Sequence, residues 1–119
     1  MKRTTPYVPQ RGDAVWITLD PQAGHEQPGR RPALVLSPAE YNGRVGLALF
    51  CPITSQVKGY PFEVALPERL PVAGVVLADQ IKSLDWRARK AKRICPTPEP
   101  VVAQVLQRFN ALLVGALTR

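Results

Sequence analysis

The chain has 119 residues, 45% of them hydrophobic and 21% charged, a balance that fits one globular domain over residues 1–119 and argues against a disordered or fibrous class. Its apolar runs fall well short of the roughly 18 residues a membrane span needs, and Met1-Lys2-Arg3-Thr4-Thr5-Pro6 leads into no apolar signal core, so a cytoplasmic protein with no membrane partner is expected. Sixteen Lys and Arg against nine Asp and Glu leave a net charge of +7, and a basic surface of that kind suits a polyanion.

In chain order, Ala14-Val15-Trp16-Ile17-Thr18-Leu19 reads as a strand over 13–19, closed by Asp20-Pro21. The loop Gly24-His25-Glu26-Gln27-Pro28-Gly29-Arg30-Arg31 follows, and Pro32-Ala33-Leu34-Val35-Leu36 opens a second strand over 32–37. Asn42-Gly43 between apolar runs is a hairpin signal, with a long strand over 44–53 behind it. After a loop at 54–59, residues 60–66 alternate as a strand, 67–73 form a proline-bounded loop, and strands at 74–79 and 84–89 complete the sheet. Then the period changes. Val102, Val105, Leu106, Phe109, Leu112, Leu113 and Ala116 recur at three and four residues, one face of an amphipathic helix, with Thr97 as N-cap and Pro98 and Pro100 in the first turn. Many short strands followed by one helix point to a small, mainly β barrel capped by that C-terminal helix.

The loop between the first two strands holds the densest chemistry. Loops held between rigid strands commonly carry function, and this one sets the carboxylate of Glu26 beside two fixed cations, Arg30 and Arg31. Arg31 precedes a proline, which biases its backbone toward the extended region and narrows the directions its side chain can take. Its guanidinium stays charged and presents a planar fork that fits phosphate oxygens. His25 is the only histidine; it can take one proton-transfer role near neutral pH but not two at once. A second basic run, Lys82, Arg87, Arg89, Lys90, Lys92 and Arg93 within twelve residues, is opposed only by Asp85. A strand there would send Arg87, Arg89 and Arg93 to one face and Trp86 to the other, which suits a single-stranded nucleic acid. Trp16, Tyr60 and Phe62 read as core, with the alternative that Trp16 lines a partner groove. Cys51 and Cys95 lie far apart in apolar or proline-flanked surroundings and read as free thiols. With one histidine and no Cys/His cluster, neither a metal nor another cofactor is expected.

The run Arg11-Gly12-Asp13, then Trp16, then Glu26-Gln27-x-Gly29-x-Arg31-Pro32-Ala33-Leu34-Val35-Leu36-Ser37-Pro38 resembles the start of the MazF/PemK family of toxin endoribonucleases. Pro52-Ile53-Thr54-Ser55-Gln56-x-Lys58-Gly59-Tyr60-Pro61-Phe62-Glu63-Val64 and Val76-Leu77-Ala78-Asp79-Gln80-Ile81-Lys82-Ser83-x-Asp85-Trp86-Arg87-Ala88-Arg89 look like the family's second and third blocks, in the right order. The likeness runs from Tyr7 to the C-terminus.

The resemblance implies an SH3-like barrel of the CcdB/PemK kind, a homodimer with its RNA groove between two subunits, and the toxin of a type II toxin-antitoxin pair. It implies metal-independent, sequence-specific cutting of single-stranded mRNA by 2′-hydroxyl attack, leaving 2′,3′-cyclic phosphate and 5′-hydroxyl ends and stopping translation and growth. By the same resemblance Arg31 acts on the phosphate, Thr54 hydrogen-bonds it, and Glu26 is either the general base or an organiser of the loop. His25 departs from the small polar residue usual in the family. Gln27 and Arg30 are candidates for loop support and backbone contact. Gln56, Lys58, Asp79 and Gln80 follow strand ends and can present donors and acceptors to unstacked bases, while Arg87 and Arg89 track the RNA backbone. The implied partner is an acidic, partly disordered antitoxin tail that folds on binding over Trp16, the 26–31 loop and the 82–93 segment. A rival from another class is a non-enzymatic, CcdB-like gyrase poison on the same barrel, and a third reading is a plain RNA-binding barrel. The 26–31 loop and Thr54 argue against a poison, which needs no phosphate site.

Overall fold

The computed structural model describes residues 6–20 and 29–115. Chain order is β1 (Asp13–Asp20), β2 (Gly29–Val35), α1 (Ala39–Val45), β3 (Leu47–Thr54), β4 (Glu63–Ala65), β5 (Val75–Leu77), β6 (Lys82–Asp85), β7 (Lys92–Pro96) and α2 (Glu99–Val114). All strand pairings are antiparallel, in the order β4-β5-β3-β2-β1-β7, with β6 joining β3 off that path. The order does not return on itself. The expected mainly β fold with a C-terminal helix is present, but as an open sheet rather than a closed barrel: β4 and β7 end the strand order without pairing to each other, and α2, which follows β7, packs against β4.

Period-two alternation buries both faces of the central strands. One face carries Val15, Ile17, Ala33, Val35, Ala48 and Phe50, closed by Leu84 and Trp86. The other carries Ala14, Leu34, Cys51, Ile53 and Val76, covered by Val101, Val102 and Val105 of α2. Phe50, Ile17, Leu34 and Val105 are fully buried, each contributing about 1.5–3 kcal/mol relative to exposure. Of the expected apolar helix face only the first half is used. Leu112 and Leu113 are exposed, and Ala116 lies outside the described residues. Both cysteines are free and buried. Burial, with Asp79 nearby, pushes the Cys51 thiol up to about 12, and burial also raises Cys95.

Three local expectations are corrected. Asn42-Gly43 is not a hairpin turn: it lies inside α1, whose end is set by Gly46 in the left-handed region at φ 85. Asn42 is fully buried; its side chain donates to the carbonyls of Pro9 and Ser37 at 2.7 and 2.9 Å and accepts the Ser37 hydroxyl at 2.6 Å. A satisfied buried amide outweighs the turn preference of the dipeptide. Thr97 does not cap α2. Pro98 holds the N-cap position, and the Thr97 hydroxyl donates instead to the Gly12 carbonyl at 2.8 Å.

The third correction concerns the basic run, which is not one strand over 84–89. It divides into β6, a tight turn at 86–90, and β7. Asp85 breaks the strand, since its carboxylate accepts the backbone N–H groups of Arg87 and Ala88 at 3.1 and 3.0 Å and so favours a turn over a ladder. Arg87, Arg89 and Arg93 therefore do not share a face. Arg87 stacks on the Trp86 ring at 4.5 Å, Arg89 bonds to strand carbonyls, and Arg93 pairs with buried Asp13 at 3.3 Å.

Candidate active site

The same alternation that fills the core builds the site at its rim. Ala33 and Val35 face inward on β2, so two residues earlier Arg31 points to the same side but beyond the apolar layer, where it is exposed. On β3 the inward positions Ala48 and Phe50 lead to Thr54 in the same way, and Lys82 pairs directly with Phe50 across β6. Arg31, Thr54 and Lys82 thus converge because each strand runs out of buried partners at the same end of the sheet.

They line a groove of about 910 Å³ together with Trp16, Pro32, Gln56 and Gln80. Trp16 is 41% exposed, which is high for an indole; it lies opposite Pro32 on β2 and in the last pair of the β1–β7 ladder, opposite Lys92. The Thr54 hydroxyl oxygen accepts the Gln56 backbone N–H at 3.1 Å. That uses one lone pair and leaves its proton to donate. The side chains of Arg31 and Lys82 make no hydrogen bond or ion pair among the described residues, so two cations face the groove with no described counter-charge.

One wall of the groove is the 71–73 segment, and Gly74 fixes how closely it approaches. At φ +117, a Cβ on Gly74 would stand 2.0 Å from the Thr54 carbonyl oxygen. Only glycine allows this crossing, on grounds of both conformation and space. The wall and Thr54 are therefore coupled through backbone contact.

Of the residues singled out in the sequence, the groove brings together Trp16, Arg31, Thr54, Gln56, Gln80 and Lys82. Glu26 and Gln27, with His25, lie outside the described residues. Arg30 is at the groove's flank with its guanidinium donating to the Lys90 carbonyl at 3.0 Å. Lys58 is outside the lining and close to the Tyr60 ring, in a loop held by Glu63, whose carboxylate accepts the N–H groups of Lys58 and Gly59 at 3.0 and 2.9 Å. Asp79 is exposed beside Gln80. Tyr60, expected in the core, is 56% exposed. The groove adds Ser55 and the 71–73 wall, and it takes Lys82 out of the basic run and sets it beside Arg31 and Thr54. The signal for Lys82 was present in the alternation of β6, once that strand is begun at Lys82 rather than Leu84. The wall had only Gly74 as a cue.

Among the described residues no three His, Cys, Asp or Glu side chains gather as a metal site, and no helix is long and apolar enough to cross a membrane.

Comparison with known proteins agrees with this geometry. The family described as PemK-like, MazF-like toxin of type II toxin-antitoxin system matches residues 10–113. The endoribonuclease toxin MazF of Escherichia coli K12 is 49% identical over 92% of this chain and 96% of its own length, and the endoribonuclease PemK of Escherichia coli is 37% identical over 87% and 81%. The crystal structure of a MazE-MazF complex from Deinococcus radiodurans contains a chain that is 58% identical, with a TM-score of 0.87, covering 92% of this chain and 98% of that one.

Proposed function

The chain belongs to the PemK-like, MazF-like family of toxins from type II toxin-antitoxin systems, and from that membership we propose how its groove cuts RNA. The protein is an endoribonuclease toxin, as its relatives MazF and PemK are named. The observation that carries the site assignment is the convergence of Arg31, Thr54 and Lys82 on one groove with no counter-charge among the described residues.

The substrate is single-stranded mRNA, and the reaction is an attack of the ribose 2′-hydroxyl on the adjacent phosphorus. Glu26 takes the 2′-hydroxyl proton; the 2′-oxygen to phosphorus bond forms, the bond to the 5′-oxygen breaks, and that oxygen is protonated from water. The ends are a 2′,3′-cyclic phosphate and a 5′-hydroxyl. Arg31 donates to the non-bridging oxygens as charge builds on the phosphorane, and Thr54 adds its free O–H donor. An arginine with a pKa above about 12 serves better as that fixed charge than as a proton donor. Gln56 and Gln80 stand where bases splayed along the groove would present their edges, and exposed Trp16 offers a stacking surface. Lys58, Asp79 and Arg87 extend this track beyond the lining, and Gln27 is carried as a further contact by resemblance. No step calls for a metal or another cofactor.

The toxin works in the cytoplasm, where mRNA is, as a homodimer of single-domain 1–119 chains. The apolar end of α2, with Leu112, Leu113 and Val114 exposed, is consistent with a surface completed by a second copy. A net charge of +7 suits an acidic antitoxin as inhibitor, and the related structure of MazF with MazE supports such a partner.

Incubating the protein with a mixed-sequence RNA in excess EDTA tests the reading. Discrete products with cyclic phosphate ends are expected. Binding without cleavage would leave a plain RNA-binding protein, and neither binding nor cleavage would favour a gyrase poison.

A further inference from the structure

We propose that the 86–90 turn is a clamp holding the base of the active-site loop, and that Arg89 and Arg30 are positioning residues for Arg31 rather than contacts to RNA. The inference rests on the proposed role of Arg31.

The clamp begins with a defect in the sheet. Thr18 pairs with Arg30 but Asp20 pairs with Gly29, so Leu19 is an extra residue bulged out of the β1–β2 ladder. On the other side of β1, pairing with β7 ends at Trp16. The carbonyls of Thr18 and Leu19 thus lie where the β7 ladder has stopped, and carbonyls without partners at a strand end let it fray. Arg89 supplies the missing donors. Its guanidinium donates to the Thr18 and Leu19 carbonyls at 3.0 and 3.2 Å, and its own carbonyl accepts the Thr18 N–H at 3.3 Å. The next residue serves the facing strand, the Lys90 carbonyl accepting from the Arg30 guanidinium at 3.0 Å. One turn therefore grips the last residues of β1 and the first residues of β2.

The turn is rigid enough to act as an anchor. Asp85 caps it through the N–H groups of Arg87 and Ala88, and backbone bonds from Arg89 to Asp85, Lys90 to Arg87 and Ala91 to Trp86 close it at 3.0–3.1 Å. Lys90 is held at φ 54, a left-handed conformation that a lysine keeps only where its surroundings impose it. Trp86 is buried and its indole N–H donates to the Asn42 carbonyl at 2.9 Å, which ties the turn to α1. Arg31 sits next to Arg30 and opposite fully buried Ile17. Pinning Arg30 and Thr18 therefore sets the backbone from which the Arg31 side chain reaches the groove.

The test separates positioning from RNA contact. Cleavage kinetics on a single-site RNA, affinity for the same RNA with a 2′-deoxy block at the cleaved nucleotide, and amide hydrogen exchange without RNA are measured for Arg89→Met and Arg89→Lys. Arg89→Met should lower kcat by roughly ten- to a hundredfold while leaving affinity within about twofold, the pattern of a misplaced catalytic group. Exchange at Thr18, Leu19, Arg30 and Arg31 should speed up, and Arg89→Lys, which keeps a donor, should restore part of both. Lost affinity with unchanged exchange would make Arg89 an RNA contact and overturn the proposal, as would an unchanged kcat. If Arg89→Met does not fold, Arg30→Met removes only the second grip and should show the same pattern at smaller size. If the wild-type protein cleaves no RNA, the reading of Arg31 falls, yet exchange in the variants still decides whether the turn holds the strand ends.

Discussion

Two pairs of cations in this molecule look alike in the sequence and have opposite fates in the fold. Arg31 and Lys82 point into the groove with no described partner. Arg89 and Arg93, a few residues further on, are spent on the protein itself, one on strand carbonyls and the other on a buried carboxylate. Net charge is thus a poor guide to available charge. What decides is whether an arginine lies within reach of an unpaired carbonyl or a buried carboxylate, since either offers a charge-assisted bond that solvent does not improve on.

The contrast can be broken at several points. The largest effect is expected at Arg31. Arg31→Ala should slow RNA cleavage about a hundredfold or more, the usual cost of losing one transition-state charge contact, with a melting temperature near that of the wild type. Normal cleavage by this variant would place the catalytic centre elsewhere.

Gly74→Ala probes the backbone crossing behind Thr54. Relieving the clash with the Thr54 carbonyl must move one chain or the other, so urea denaturation should show a loss of roughly 1–3 kcal/mol. Cleavage should fall further than the folded fraction accounts for. Wild-type stability here would mean that the 71–73 wall is free of Thr54.

Arg93→Ala should reverse the Arg31 pattern, affecting stability and sparing catalysis. Asp13 keeps bonds from the Tyr7 hydroxyl and the Gln10 N–H, and the Arg93 side chain is 46% exposed. The screened pair is then worth about 1 kcal/mol by thermal melts.

Lys82→Ala should weaken RNA binding several-fold and lower the slope of log affinity against log salt by about 0.7, one phosphate contact to a single strand. An unchanged slope would take Lys82 out of the RNA track.

The last effect, felt only in alkali, is the response to pH. The Cys51 thiol is raised from 9.0 to about 12 by burial and by Asp79, and the Tyr7 hydroxyl is raised by burial and its bond to Asp13. Both folded groups hold protons that the unfolded chain releases, so their contribution is intact below pH 9 and is lost progressively above it. Chemical denaturation between pH 8 and 11 should show the decline, and Cys51→Ala should make it shallower.

Much of this was legible in the chain. The alternation in 14–19 and 32–36 marks β1 and β2, and the 3–4 spacing from Val102 onward marks α2, because both patterns repeat along a single element. Arg31 and Thr54 could be named because their motifs are contiguous. Lys82, in contrast, becomes a groove residue only through its register opposite Phe50, and Gly74 matters only because Thr54 passes beneath it.

By itself, then, the sequence marked β1, β2, the closing helix α2 and the family, all of which depend on residues near one another along the chain. Tertiary structure alone decided that Asn42-Gly43 would be helix, that the sheet would stay open, and that Arg89 would hold β1 while Arg31 faced the groove. The first and last of these depend on partners 33 and 71 residues away, Pro9 for Asn42 and Thr18 for Arg89. Burial rewards such contacts far more strongly than local propensity resists them.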